Sequence, residues 1–157
     1  MRDSESRIIA REDLAKFRAG NPDRTVVFTN GCFDLIHRGH VSLLEQSRAM
    51  GDILVVGINS DDSVKRLKGA GRPLTGEMDR AYILLALRSV DYVTIFGEDT
   101  PIETIEALEP DVLVKGAEYC EGEIVGEEFV LARGGRAERI SMVEGYSSSG
   151  IIDRMKF

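Results

Sequence analysis

The sequence predicts an α/β protein with an open, mostly parallel sheet and helices on both of its faces. Three observations predict it. Short β-branched runs that read as buried strands alternate with stretches of helical period. Successive strands are too far apart for a hairpin and far enough apart for a crossover helix, so neighbouring strands are parallel and their connections right-handed. The 157 residues, 43% hydrophobic and 30% charged, suit one soluble domain, and no long repeat or low-complexity tract divides them.

Residues 1–24 are studded with charge, from Arg2 and Asp3 to Arg18, and contain no apolar h-region of a secretory signal. They read as an N-terminal helical extension to a core of 25–157, the two forming a single domain. Thr25 to Asn30 is a buried strand that stops at Gly31. Gly39 to Met50 is a helix whose Val41, Leu43, Leu44, Ser47 and Ala49 face a sheet. Asp52 to Ile58 is the next strand, Asp79 to Arg88 a helix and Val90 to Phe96 a third strand. Pro101 to Leu108 is helical with Thr100 as its N-cap, followed by a strand over Asp111 to Lys115. A short helix over Phe129 to Arg133 closes at Gly134-Gly135, Arg136 to Met142 is a strand, and Ile151 to Met155 is a last helix entered through Ser147-Ser148-Ser149.

Charge and cysteine usage exclude several functions. Asp and Glu number 27 against 20 Lys and Arg, a formal net charge of −7, and a field of that sign repels a polyphosphate backbone, so no nucleic-acid partner is expected. Apolar stretches such as Ile53 to Val56 and Tyr82 to Leu87 fall far short of the ~20 residues that span a bilayer. A cytoplasmic protein with no membrane partner is expected. Its two cysteines, Cys32 and Cys120, lack C-x-x-C spacing and read as reduced thiols.

In open parallel sheets ligands bind beyond the carboxyl ends of the strands, here the loops after Asn30, Ser60, Phe96, Lys115 and Met142. The first of these, Asn30 to His40, holds both histidines of the chain. His37 and His40 lie three apart at a helix opening, so both rings project from one face near free N–H groups and the positive end of the helix dipole, where a phosphate fits. Gly31 and Gly39 leave room for an anion to approach the main chain. Two surface histidines at a cap are the plain alternative, and the flanking glycines weigh against it. Zinc needs a third ligand, for which only Cys32 or Asp34 is near, so no metal centre is expected.

Lys65, Arg66, Lys68 and Arg72 place four cations in eight residues of an acidic chain. Lys68 and Arg72 are the best candidates to hold an acceptor phosphate, on a loop that Gly69 and Gly71 leave mobile, whereas Lys65 and Arg66 read equally well as surface charge. Arg80 reads as an intrahelical partner of Glu77 at least as well as a substrate contact. Lys115-Gly116 ends a strand on the ligand side, and the serine run is both an N-cap and an anion site.

Gly31-x-Phe33-Asp34-x-x-His37-x-Gly39-His40 resembles the G-x-F-D-x-x-H-x-G-H signature of the cytidylyltransferase-like nucleotidyltransferases. The resemblance implies a Rossmann-like sheet and transfer of a nucleotidyl group from an NTP to a phosphate monoester, with Mg²⁺ and release of pyrophosphate. By the same resemblance His37 and His40 contact the NTP phosphates and act with Lys68 in catalysis. The run from Val26 to Ile152 is similar to heptose 1-phosphate adenylyltransferases, in Thr29 to Asp34, Asn59 to Asp61, Lys65 to Gly69, Arg72-Pro73, Glu98 to Pro101, Leu113 to Gly116 and Ser147 to Ser149. That implies AMP transfer from ATP to a sugar 1-phosphate, D-glycero-β-D-manno-heptose 1-phosphate, to make ADP-heptose for lipopolysaccharide, by a homo-oligomer.

The nucleotide contacts so implied are Asn30, Gly31, Cys32, Phe33, Gly39, Lys115, Gly116, Ser147, Ser148 and Ser149. The substrate contacts are Asp34, Asn59, Lys68, Arg72, Arg80 and Glu118. Two departures stand out. Gly116-Ala117-Glu118-Tyr119 replaces the usual Gly-Gly-Asp-Tyr, and Met142 stands where cytidylyltransferases for polyol or amino-alcohol phosphates carry arginine, which argues against CTP. Such a cytidylyltransferase, acting for example on glycerol 3-phosphate, and a non-catalytic ATP-binding module are the alternatives.

Overall fold

The computed structural model describes residues 3–118, 120 and 122–156. Five strands, β1 (Val26–Gly31), β2 (Ile53–Asn59), β3 (Tyr92–Phe96), β4 (Val112–Gly116) and β5 (Arg136–Ile140), form one sheet in the order β3-β2-β1-β4-β5, with every pairing parallel. Val26 stands opposite Ile53, and Val27 opposite Val112. The helices are α1 (Leu14–Ala19), α2 (Arg38–Arg48), α3 (Asp61–Lys68), α4 (Glu77–Ala86), α5 (Ile102–Leu108), α6 (Glu127–Ala132) and α7 (Ser148–Met155).

The central strands β1, β2 and β4 are largely apolar because both of their faces are covered. On one face Val27, Leu54, Val56, Val93 and Val114 pack with Leu43 and Leu44 of α2 and Ala81, Leu84 and Leu85 of α4. On the other, Val26, Phe28, Val55 and Leu113 meet Leu14 of α1, Ile105 and Leu108 of α5 and Val130 of α6. Each such side chain contributes about 1.5–3 kcal/mol by leaving water. The sheet edges are treated differently. Ile8 bridges to Val93 in parallel and covers the β3 edge, while β5 carries three charged residues in five and pairs Arg136 with Glu138.

Several expected boundaries move. Thr100 does not cap α5; Pro101 occupies that position and no side chain bonds the first turn. α4 begins at Glu77, two residues early, and β5 stops at Ile140. The cation-bearing segment is helical from Asp61 because Ser60 caps it, accepting the Ser63 N–H at 3.2 Å. Ala49, expected to face the sheet, lies just past the end of α2 and is exposed. Among the described residues no helix is long and apolar enough to cross a membrane.

Candidate active site

From β1 the chain builds β2 and β3 on one side, then returns to place β4 on the other side of β1. That reversal leaves a crevice at the carboxyl ends of β1 and β4. A cavity of about 400 Å³ opens there, lined by Asn30, Gly31, Cys32, Phe33, His40, Asn59, Lys68, Lys115, Gly116 and Glu118 among others. Residues from four separate stretches of sequence therefore converge on one space.

The two imidazoles are built by local geometry. His37 is the N-cap of α2, and its Nδ1 accepts the Gly39 N–H at 3.1 Å. That bond requires a ring with Nδ1 unprotonated, so the neutral ring carries its proton on Nε2. One turn on, His40 stacks on His37 with centroids 3.8 Å apart and planes 24° apart. Phe33 lies against His40 with ring centroids 5.1 Å apart and planes tilted by 53°, held there by a left-handed backbone, φ 49°, that is strained for a bulky residue. The glycines leave room for this stack. A Cβ on Gly31 would stand 3.1 Å from the Phe33 ring, and one on Gly39 only 2.9 Å from Cε1 of His37.

Both rings are kept neutral. Burial lowers the pKa of His37. Burial, then the neighbouring His37 and the charge of Lys68, lower His40 to about 4, only partly opposed by the Leu35 carbonyl. Nδ1 of His40 is buried without a hydrogen-bond partner within bonding geometry, which makes the ring costly for stability alone. Because the folded pKa lies below the ordinary 6.5, the unfolded chain takes up the proton first as pH falls. Stability is then lost between about pH 6.5 and 4, by up to about 3 kcal/mol from this ring. Urea unfolding at neutral pH and near pH 4.5 should show a smaller acid loss in His40→Gln than in the wild type. An equal loss in both proteins would refute the assignment.

The cations divide into distinct roles. Lys68, the last residue of α3, borders the main cavity and a second one of about 380 Å³ lined with Arg72, Ser149 and Lys156. Arg66 bonds Asp99 and the Gly97 carbonyl, and Lys65 approaches Asp62, so both are surface charge. Arg72 donates from Nε to Asp34 at 2.7 Å. Asp34, expected among the substrate contacts, is instead 3% exposed and accepts in addition from the Leu74 and Thr75 N–H groups, each at 2.9 Å. Burial alone would raise its pKa, but those donors outweigh it and hold the carboxyl below its ordinary value. Arg80 corrects two expectations. It has no exposed surface, and it pairs with Asp61 rather than Glu77, whose carboxylate takes the Asp61 N–H.

On the β4 side, Lys115 donates to the Asn30 carbonyl at 3.1 Å, and burial lowers its pKa to about 8 against the opposing pull of Glu118 and Cys32. The Glu118 carboxylate lies over Gly116, where a Cβ would collide with it. Tyr119 lies outside the described residues. Asn59 is buried, donating to Ser63 Oγ at 3.0 Å, with the Cys32 thiol 3.8 Å from its Oδ1. Ser147 caps α7 through the Gly150 N–H, Ser148 donates to the Leu35 carbonyl at 3.0 Å, and Ser149 faces the second cavity. Tyr146 was not anticipated: its ring stacks over His37 at 6.3 Å, and the only sequence signal was its place beside the serines. Among the described residues no three His, Cys, Asp or Glu side chains are grouped to hold a metal. Asp34 is engaged by its own donors, and the carboxylates that line the cleft are those of Asp99, Glu118 and Glu123.

A parallel sheet with a cleft at its switch point and a histidine-capped helix opening onto it defines a nucleotide-binding class of α/β domain. Residues 28–154 match the cytidylyltransferase-like pattern, and the chain belongs to the cytidylyltransferase-like family. It is 52% identical over 155 residues to the bifunctional protein HldE of Pelobacter propionicus, covering 98% of this chain and 32% of that protein. It is also 53% identical over 150 residues to the bifunctional protein HldE of Helicobacter pylori strain J99, covering 96% and 31%. The chain thus spans about a third of the length of these relatives. Among solved structures, a lipopolysaccharide core biosynthesis protein from Thermoplasma volcanium superposes with TM-score 0.66 at 28% identity, over 77% of this chain and 99% of that one. A pantoate-β-alanine ligase from Francisella tularensis, 10% identical with TM-score 0.53 over 92% of this chain and 76% of that one, shares the fold.

Proposed function

We propose that this chain transfers AMP from ATP to a sugar 1-phosphate, a heptose 1-phosphate by the family resemblance, releasing pyrophosphate and forming ADP-heptose. The observation that carries the reading is the pair of stacked neutral imidazoles at the entrance of α2, beside a lysine that borders two adjoining cavities. One cavity takes the nucleotide between β1 and β4. The other takes the acceptor, with its phosphate toward Lys68. An acceptor phosphate oxygen attacks the α-phosphorus, the α–β bridging bond breaks, and pyrophosphate leaves with the bond electrons. Such in-line transfer asks the protein for fixed positions and hydrogen-bond donors around the phosphates rather than for covalent help. His37 and His40 act as N–H donors, Lys68 as the cation between the two ligands, and the Ser147 and Ser149 hydroxyls at α7 as further donors.

The test is pyrophosphate release with ATP, CTP, GTP and UTP, each offered against phosphorylated heptoses, hexoses and polyols. ATP with a heptose 1-phosphate should dominate. Preference for CTP with a polyol phosphate replaces the proposed substrates, and nucleotide binding without release from any pair leaves a binding module. Within this reading Lys68→Ala should raise KM for the sugar phosphate by roughly 10- to 100-fold, the scale of one hydrogen bond to a charged group, and KM for ATP by much less. Equal losses would move Lys68 wholly to the nucleotide.

A further inference from the structure

Asp34 and Arg80 are buried charged residues that the reaction above does not use. Asp34 sits on the β1–α2 segment and reaches across to a segment far along the chain, accepting from Arg72, Leu74 and Thr75. Arg80 reaches back from α4. Its Nη1 donates to the Cys32 carbonyl at 2.6 Å, its Nε to the Thr75 carbonyl at 2.9 Å, and its Nη2 to Asp61 at 2.8 Å. Thr75 is therefore held at both ends, its N–H by Asp34 and its carbonyl by Arg80. The bonds close a ring running from Cys32 through Arg80 and Thr75 to Asp34.

The residue enclosed between Cys32 and Asp34 is Phe33, whose left-handed backbone is one of only two positive-φ conformations found at residues other than glycine among the described residues. A strained φ persists only where its surroundings over-determine it. Here the peptide before Phe33 is held by Arg80 through the Cys32 carbonyl, the residue after it is held by Thr75 through the Asp34 carboxylate, and Arg80 and Thr75 are bonded to each other. Released from the clamp, Phe33 would relax toward an ordinary conformation, its ring would swing from His40, and the segment that follows Lys68 would lose its hold on the β1–α2 loop.

We propose that Asp34 and Arg80 are positioning residues, touching no ligand, that clamp the β1–α2 loop to residues 72–75 and so hold Phe33 beneath His40 and Lys68 beside the imidazoles. Asp34 thereby serves the phosphate site through its neighbours rather than as a substrate ligand.

Asp34→Asn tests this with two independent readings. The kinetic reading rests on the function proposed above: kcat for pyrophosphate release should fall roughly 10- to 100-fold, the cost of a misplacement of about 1 Å, with KM for ATP and for the sugar phosphate nearly unchanged. The second reading does not require activity. NMR titration of the ring of His40, assigned with His37→Ala, should move toward the ordinary histidine range by about one pH unit or more as Phe33 uncovers it. Arg80→Lys, which keeps the charge but cannot span both carbonyls, should move both readings the same way and serves if Asp34→Asn melts below assay temperature. A rise in KM for the sugar phosphate at unchanged kcat would return Asp34 to the substrate. An unmoved His40 titration in a folded variant would overturn the clamp. If the wild type releases no pyrophosphate, the proposed reaction fails while the titration still decides the clamp.

Discussion

Replacing His40 by alanine is expected to lower pyrophosphate release by roughly 10²- to 10³-fold, the usual loss when one fixed donor to a developing charge is removed. The fold should survive. The imidazole borders the cavity, its Nδ1 makes no hydrogen bond of good geometry, and its removal gives up a weak approach to the Leu35 carbonyl. What is lost is ring contact with His37 and Phe33, worth about 0.5–1.5 kcal/mol per pair against a stability of about 5–15 kcal/mol. His37→Ala should lose similar turnover and rather more stability, because it also removes the cap on Gly39, a bond worth about 0.5–2 kcal/mol. Steady-state release measured beside a thermal melt separates the two effects. A folded His40→Ala protein within tenfold of wild-type turnover would take the phosphate away from this ring.

The difference between what the chain announces and what it conceals follows from sequence distance. The strands were legible because both of their faces are buried, which forces Val, Ile and Leu into unbroken runs. The histidine pair was legible because a stack across one helical turn needs only residues three apart. The partners of Asp34 and Arg80 were hidden for the opposite reason. Asp34 finds its partners 38 to 41 residues away and Arg80 binds a carbonyl 48 residues away, and no local pattern reports a contact of that range. The expected pair of Glu77 with Arg80 had suitable helical spacing, yet a buried guanidinium needs several acceptors at once, and Asp61 with two carbonyls supplies them. Gly31 and Gly39 stand out in the sequence as places where an anion can approach the main chain, whereas their closeness to the rings of Phe33 and His37 has no local signal. Tyr146 gave no signal beyond its place beside the serines because its partner, His37, lies far away along the chain.

Gly39→Ala should separate stability from activity most sharply. Gly39 is buried in the first turn of α2, where alanine is intrinsically the better helix former by about 1 kcal/mol, and the substitution adds only one methyl group. That methyl would lie 2.9 Å from Cε1 and 3.0 Å from Nδ1 of His37, and 3.5 Å from Cβ of Tyr146. The backbone of α2 has no reason to move, whereas the imidazole is the free end of a side chain and must turn away. In turning, it gives up the 3.1 Å bond to the residue 39 N–H and its face-to-face contact with His40, while Tyr146 limits where it can go. The lost cap of about 0.5–2 kcal/mol roughly offsets the gain in helix propensity, so the melting curve should scarcely shift. Turnover, which depends on where the His37 N–H points, should fall roughly 10- to 100-fold. A Gly39→Ala protein with wild-type turnover would show that phosphate transfer does not need the stacked placement of His37, whereas a large drop in melting temperature would show that the backbone, not the ring, yields to the methyl group.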